Sequence, residues 1–272
     1  MRWHPKVYAV SNQSRFVISC ILSFYRLLFV FFAYPCPRGK ADCGIVTAIG
    51  IYRQLPRETA LSWKNHIRLY TLGDTQLFWR VAMNTAYVLL RSGYADWEPA
   101  SALAELRRTF GFSVRTIGLT SETVVSMGGL RVIPDLTLPE FEPESAGILI
   151  LPGGDSWTNG EVPEVSKAAR TMVALSRPVA AICAATLALA YAGLLDEHLH
   201  TSNGKAFIGK YIPEYHGEKL YQASPSVSDR FVITANGLAP FAFAAEIFRA
   251  LAPERTQDIE MYEKLYSHGM LD

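Results

Sequence analysis

Apolar positions in the second part of the chain follow two alternating patterns that indicate strands and helices. Five short apolar runs have the length and the flanking turn residues of buried β-strands. These runs are residues 86–90, 114–119, 147–151, 179–182 and 231–234. Longer segments with apolar residues on one face have the spacing of helices, and they are residues 97–110, 164–175, 184–192, 241–251 and 254–267.

A glycine turn and the alternation of the elements complete the predicted architecture. Met127-Gly128-Gly129 separates apolar segments at 123–126 and 130–133, which predicts a hairpin. Strands that alternate with helices form a mostly parallel sheet, because each helix returns the chain to the start of the next strand. We therefore predict an α/β fold, with a doubly wound, mostly parallel sheet and helices on both faces.

Residues 1–82 follow neither pattern, apart from an apolar run at 16–36. The run is long enough to span a bilayer, and three basic residues (Arg2, Lys6 and Arg15) precede it. Arg26 lies near its centre, where a charge costs about 2.5–3.5 kcal/mol on membrane-insertion scales. No small-x-small cleavage site follows the run.

Three hypotheses for this N-terminal segment stay open. Met83 opens a natural first strand of an α/β domain, so residues 1–82 can be an extension outside the core and 83–272 the domain. The first hypothesis predicts a cytoplasmic protein. The second is a membrane anchor through residues 16–36, and the third is a cleaved signal peptide.

Composition excludes few functions. The chain has 272 residues, half of them hydrophobic, and a formal net charge of +1, which gives no support for a nucleic-acid partner. Its cysteines are Cys20, Cys36, Cys43 and Cys183, without a CxxC pair or zinc-ligand spacing. Neither a metal site nor a disulfide framework is predicted, and the main domain suits a reducing compartment.

Cys183 is the leading candidate for a nucleophile. It stands between the strand at 179–182 and the helical run at 184–192, which predicts a sharp strand–turn–helix elbow. Unpaired backbone N–H groups and the helix dipole at such a turn favour the thiolate, so we expect a reactive sulfur. A small buried core cysteine is the alternative.

Other candidates follow the ends of neighbouring strands. Gly153 and Gly154 come after the strand at 147–151, where their N–H groups could join that of Ala184 in holding an oxyanion. Glu98 lies just past the first strand, and a carboxyl group near a thiolate should hold its proton and donate it to sulfur. A helix-start acid or a plain turn would explain the same residues structurally.

His200 is the candidate base. It lies beyond the elbow helix and the turn at 193–197, from where it could return to the cysteine. A surface or capping histidine is the alternative. Asp155 is a possible third member of a catalytic triad.

Together these segments resemble the ThiJ/PfpI superfamily, which has a glutamine amidotransferase-like, flavodoxin-like sandwich fold. The resemblance covers residues 83–272. Its motifs are YADWE at 94–98, ILILPGG at 148–154, AAICAAT at 180–186, LL at 194–195, HTSN at 200–203 and VITANGLAPFAFA at 232–244.

The resemblance implies roles for individual residues. The superfamily's nucleophile corresponds to Cys183, its glutamate to Glu98 and its oxyanion glycine to Gly153 or Gly154, while His200 resembles the histidine of the deglycase branch. The protease branch carries histidine directly after the cysteine, where this chain has Ala184, so peptidase activity is not expected. No metal or organic cofactor is implied, and a homodimer is.

Two functions remain open from the sequence. The first is a cysteine-dependent hydrolase or glyoxalase/deglycase that acts on a small carbonyl compound or its adducts. The second is a redox-sensing or stress-response binding protein, in which Cys183 is oxidised rather than catalytic. Both use the same residues, so the sequence leaves the choice, and the substrate, undecided.

Overall fold

A computed structural model describes residues 16–22, 27–33 and 84–268 of the chain. In the N-terminal part, β1 (Phe16–Leu22) pairs antiparallel with β2 (Leu27–Ala33), so the apolar run contains two strands. Their aromatic and branched residues favour extended structure. Among the described residues, no helix is both long and apolar enough to cross a membrane. The rest of the predicted 1–82 segment lies outside the described residues.

Residues 84–268 alternate between strands and helices in the order that the sequence predicts. The strands are β3 (Thr85–Leu90), β4 (Ser113–Gly118), β5 (Val124–Val125), β6 (Arg131–Val132), β7 (Leu136–Thr137), β8 (Ile148–Leu151), β9 (Val179–Ile182), β10 (Ser226–Asp229) and β11 (Val232–Ala235). The α-helices are α1 (Trp97–Arg108), α2 (Pro163–Ala174), α3 (Thr186–Tyr191), α4 (Phe207–Tyr211), α5 (Pro240–Leu251) and α6 (Thr256–His268).

Seven of the described strands form one sheet in the order β10-β11-β9-β8-β3-β4-β7. All neighbours are parallel except β10 and β11, so the predicted doubly wound, mostly parallel α/β fold is confirmed. The predicted hairpin is present as β5 and β6, which pair antiparallel outside this sheet.

The sheet is buried on both faces because its central strands β8 and β9, and β3 after Thr85, are apolar. On β3, Tyr87 and Leu89 pack into a core on one face, together with residues of α2 and α3. Ala86 and Val88 point to the opposite face, where residues of α1, α5 and α6 form a second core. This two-residue alternation is the normal pleat of a strand, and it places helices on both sides of the sheet.

Parallel strands bring their carboxyl ends to one edge of the sheet. β3 pairs with β8 through Val88 and Ile150, and β8 pairs with β9 through Leu151 and Ala181. The segments that follow these three strands therefore meet at the edge where ligands bind in open α/β sheets.

Candidate active site

Cys183 occupies a strained turn between a strand and a helix. β9 ends at Ile182, a short 3₁₀ helix runs from Cys183 to Ala185, and α3 follows from Thr186. The backbone φ of Cys183 is +60°, a value that costs a residue with a side chain about 1–3 kcal/mol. This geometry is that of the predicted nucleophile elbow.

Hydroxyl groups hold the elbow in this conformation. The Thr186 hydroxyl donates to the Cys183 carbonyl at 2.7 Å, and its oxygen lies 2.7 Å from the hydroxyl of Ser202. Both side chains are buried. The turn is thus fixed from the helix side and from the segment that follows α3.

Two glycines make room for the Cys183 side chain. A Cβ atom on Gly153 would lie 2.6 Å from the Cys183 Cβ, and one on Gly237 would lie 2.8 Å from its Sγ. Both distances are shorter than van der Waals contact, so a side chain at either position would displace the sulfur. Only glycine lets these two backbone segments close around it.

Glu98 is a buried carboxyl group beside the sulfur. It lies in the first turn of α1, is 1% exposed, and accepts a hydrogen bond from the Gly153 N–H at 2.5 Å. Burial raises the pKa of Glu98 to about 7, although hydrogen bonds from Gly153 and from the Cys183 thiol act in the opposite direction. Glu98 is thus a helix-start acid, which was the structural alternative, and it is at the same time buried beside the sulfur.

The thiol of Cys183 is less acidic than the sequence suggested. Burial is the main cause that raises the pKa of Cys183, and the charge of Glu98 adds to it. Hydrogen bonds from the Asn203 amide, 3.1 Å from Sγ, and from the Ala184 N–H favour the thiolate. The Ala184 N–H at the elbow thus favours the thiolate as expected, but burial outweighs it, so the net direction of the pKa is upward.

Asn203 is a site residue to which the sequence analysis gave no role. Its amide donates to Sγ, while its carbonyl oxygen accepts a hydrogen bond from the Gly237 N–H at 3.0 Å. The second bond fixes which end of the amide faces the sulfur. Asn203 is the last residue of the HTSN motif at 200–203. Its position after a run of buried polar residues is the feature that could have identified it.

The proposed oxyanion donors differ in their availability. The Gly153 N–H is already bound to Glu98, and the Ala184 N–H lies against the sulfur. The next residue, Gly154, forms an isolated β-bridge with Tyr94. Of the glycine pair, Gly154 therefore keeps the N–H that is not committed to Glu98. Asp155, the possible third triad member, is exposed.

The ring nitrogens of His200 are both bound away from the sulfur. Nδ1 donates to the His198 carbonyl at 2.7 Å, and Nε2 lies 2.5 Å from the Tyr215 hydroxyl. Burial lowers the pKa of His200 and raises that of Tyr215 to about 12, so Tyr215 donates to a neutral ring. No hydrogen bond in the described part of the chain joins His200 to Cys183, and its catalytic role stays a prediction.

Comparison with known proteins places these residues in a family. The model of the DJ-1/PfpI family matches residues 84–250. YoaZ of Bacillus subtilis (strain 168), which is named an uncharacterized protease, is 36% identical over 172 residues, covering 61% of this chain and 82% of its own. The glutathione-independent glyoxalase DJR-1.2 of Caenorhabditis elegans is 26% identical over 183 residues, covering 65% of this chain and 95% of its own.

A solved structure supports the same relationship. The DJ-1 superfamily protein Atu0886 from Agrobacterium tumefaciens has a TM-score of 0.61 and 35% sequence identity. The match covers 67% of this chain and 98% of that protein.

Proposed function

The chain belongs to the DJ-1/PfpI family, and from that premise we propose that it is a cysteine-dependent enzyme of the glyoxalase/deglycase type, acting on small carbonyl compounds. One observation carries the proposal: a buried carboxyl group, Glu98, forms a hydrogen bond with the Cys183 thiol and has a pKa of about 7. A group that titrates near neutral pH can both take up and return a proton during turnover.

In the first step, the Cys183 sulfur adds to the aldehyde carbon of a 2-oxoaldehyde. The thiol proton passes to the former carbonyl oxygen, which gives a hemithioacetal without change of oxidation state. Glu98 in its carboxylate form then removes the proton from the same carbon, which gives an enediolate. Glu98 returns that proton to the neighbouring carbon, and the hydroxyl proton on the first carbon moves to the neighbouring oxygen. The product is a thioester of a 2-hydroxy acid on Cys183.

Water completes the cycle by hydrolysing the thioester. The released products are the 2-hydroxy acid and the free thiol, so the net reaction is an internal rearrangement plus one water molecule. Negative charge develops on the carbonyl oxygen during addition and hydrolysis. We assign the stabilisation of this oxyanion to the N–H groups of Gly154 and Ala184.

The test is the conversion of methylglyoxal to lactate by the purified chain. Cys183→Ser should abolish turnover, and Glu98→Gln should reduce kcat at least about 100-fold, the lower range for general acid–base catalysis. Glu105→Gln is a matched control, because Glu105 is a second buried acid of α1 whose carboxyl instead binds Arg108 and Thr109. A Glu98→Gln enzyme within a few-fold of wild type would leave Glu98 a structural residue.

Oxidation of Cys183 is the second candidate function. The hydrogen-bond donors around Sγ, from Asn203 and Ala184, could hold the oxygen of a sulfenic or sulfinic acid, and a protonated Glu98 could donate to it. Peroxide treatment followed by intact mass measurement tests this function. Stoichiometric oxidation of a protein that turns over no carbonyl compound would favour it over the enzyme.

Peptidase activity is not part of the proposal, although the relative YoaZ carries the word protease in its name. Ala184 stands directly after the cysteine, where it supplies no imidazole to pair with the thiolate. Both nitrogens of His200 are bound to other groups. Casein hydrolysis that disappears in Cys183→Ser would contradict this expectation.

A further inference from the structure

Arg91 lies at the same edge of the sheet as the cysteine. It follows β3 directly, and the pairings of β3 with β8 and of β8 with β9, continued past the strand ends, place Arg91, Gly153 and Cys183 at one level. Adjacent strands are about 4.8 Å apart, so the backbones of Arg91 and Cys183 are separated by about 10 Å. A small molecule bound at the sulfur could therefore reach the arginine.

The guanidinium group of Arg91 is held on the face of an aromatic ring. Its Cζ lies 4.4 Å from the centroid of the Trp157 ring. Trp157 is buried, and its Nε1 donates to the Pro152 carbonyl at 2.8 Å, next to the glycine pair. Stacking occupies the flat face of a guanidinium and leaves the N–H groups at its edge free to bind a planar anion.

Arg91 has no anionic partner in the part of the chain that the structure describes. Its Nη1 is buried and makes no hydrogen bond, and the Ser156 hydroxyl, beside Trp157 in sequence, is in the same state. Asp155, the adjacent acid, is exposed and forms no described ion pair with it. An unpaired buried donor is unfavourable, so an anion that paired with the Arg91 guanidinium would supply an acceptor that the described residues do not.

We propose that Arg91, held by Trp157, binds an anionic group of the substrate, so that the substrate is a short 2-oxoaldehyde carrying a carboxylate or a phosphate. The inference rests on the proposed function for the reaction at Cys183 and adds the charge of the substrate. Arginine binds both anions through paired N–H groups. Neutral methylglyoxal would then be turned over only as a poor analogue.

The first experiment compares substrates matched in length on the full chain at low salt. 4,5-Dioxopentanoate carries a carboxylate where 2-oxopentanal carries a methyl group. We expect kcat/KM to favour the charged compound at least about tenfold, through KM, and Arg91→Met to remove the preference. The same comparison of 3-phosphooxy-2-oxopropanal with 3-hydroxy-2-oxopropanal shows which of the two anions is bound better.

Arg107→Met is the matched control for the loss of one positive charge. Arg107 is exposed near the far end of α1, about 13 Å along the helix from Glu98. Its removal should leave the charged-to-neutral preference unchanged. Arg91→Lys, which keeps the charge without the paired N–H groups, should give an intermediate preference, and thermal unfolding checks that each variant is folded.

A second experiment measures binding near the sulfur without relying on turnover. The Cys183 thiolate adds to the double bond of a maleimide, with the proton supplied by water, and peptide mapping separates this reaction from that of other cysteines. 3-Maleimidopropionate and N-propylmaleimide differ only in the terminal carboxylate. Relative to free cysteine, the charged reagent should be favoured in wild type and in Arg107→Met, but not in Arg91→Met.

The outcomes separate this inference from the proposed function. An Arg91-dependent preference in maleimide labelling, without turnover of any 2-oxoaldehyde, would support the anion subsite and reject the glyoxalase reaction. Turnover with equal kcat/KM for the charged and neutral compounds, together with wild-type labelling no more selective than free cysteine, would overturn the subsite and leave the reaction standing.

Discussion

The ionisation of Cys183 is decided by its immediate neighbours. Burial and the charge of Glu98 raise the pKa of the thiol, whereas hydrogen bonds from Asn203 and Ala184 lower it. Because Glu98 itself has a pKa of about 7, its charge opposes the thiolate mainly above neutral pH. The two groups therefore titrate as a coupled pair. The Cys183 thiol loses its proton more easily when Glu98 is protonated than when it is charged.

Replacing the amide next to the sulfur should make Cys183 less reactive. In Asn203→Leu the donor 3.1 Å from Sγ is lost, so the pKa of the thiol rises. Hydrogen bonds to charged groups are worth about 1.5–3 kcal/mol, and we expect iodoacetamide labelling of Cys183 near pH 7 to slow about tenfold or more. Asn84→Leu is the control, since Asn84 precedes β3 at the opposite edge of the sheet. Equal rates in all three proteins would show that Asn203 does not stabilise the thiolate.

The raised pKa of Glu98 predicts a loss of stability as the pH increases. The carboxyl binds its proton more tightly in the folded protein, with a pKa of about 7 against an ordinary value of 4.5. Its contribution is thus complete below the unfolded value and is lost as the pH rises through the folded one. Relative to Glu98→Gln, the wild-type free energy of unfolding should fall between about pH 5 and pH 8, by about 3 kcal/mol at most.

Urea unfolding of wild type and Glu98→Gln between about pH 5 and pH 8 measures the difference in their free energies of unfolding. Titrating groups that both proteins share cancel in this difference. The thiol of Cys183 contributes little to it, because its pKa is raised from an ordinary value of 9.0 and it stays protonated. A difference that is constant with pH would mean that Glu98 titrates normally in the folded protein.

At the scale of elements, the loops after β8 and β11 determine the space at the elbow. A Cβ on Gly237 would meet the Cys183 Sγ at 2.8 Å and the Glu98 carboxyl at 3.3 Å. Gly237→Ala should therefore slow labelling of Cys183 and lower the free energy of unfolding by about 1–3 kcal/mol, the usual cost of overpacking. The measurement is urea unfolding together with iodoacetamide labelling.

Gly209→Ala is the matched control for that substitution. Gly209 lies within α4, and a Cβ there would meet nothing within 4 Å. Alanine favours helix over glycine, so this variant should be unchanged or slightly more stable. If the two variants behaved alike, the close packing around the sulfur would not be what excludes a side chain at Gly237.

The sequence predicted those elements that are long enough to show the repeat of apolar residues typical of a strand or a helix. The apolar strands around the site and the two long helices before and after β8 appear within a few residues of their predicted bounds. β7 has two residues, β10 is a polar edge strand, and α4 has five residues, so none of them carries a readable pattern. β7 and β10 are strands because they pair with β4 and β11, and sheet context of this kind outweighs local preference.

The residues of the candidate site also differ in whether a sequence pattern could reveal them. Cys183, Glu98 and Gly153 could be found because each follows a predicted strand, and parallel strands bring such positions together. Asn203 and Gly237 reach the sulfur from loops whose course no local pattern gives. For His200 the sequence supplied a residue type and a position, but not the Tyr215 hydroxyl and His198 carbonyl that bind its ring.

At the scale of the whole molecule, the seven-stranded sheet and its covering helices all lie within residues 84–268 of the described chain. The central strand β3 begins at Thr85, and its partners β4 and β8 are both supplied by later segments. The predicted boundary at residue 83, a cytoplasmic location and a homodimer remain predictions. The first and the last of these can be tested in one preparation.

We predict that residues 83–272 fold as a soluble, autonomous unit. A domain of this size buries about 70% of its unfolded-chain surface, which is ample for stability. The measurement is thermal unfolding of a protein that starts at Met83, with its mass in solution determined by light scattering. A cooperative transition with the mass of two chains would support both the boundary and the homodimer, whereas a cooperative monomer would support the boundary alone. An insoluble or molten product would show that residues before 83 contribute to the core, since nothing else has been removed.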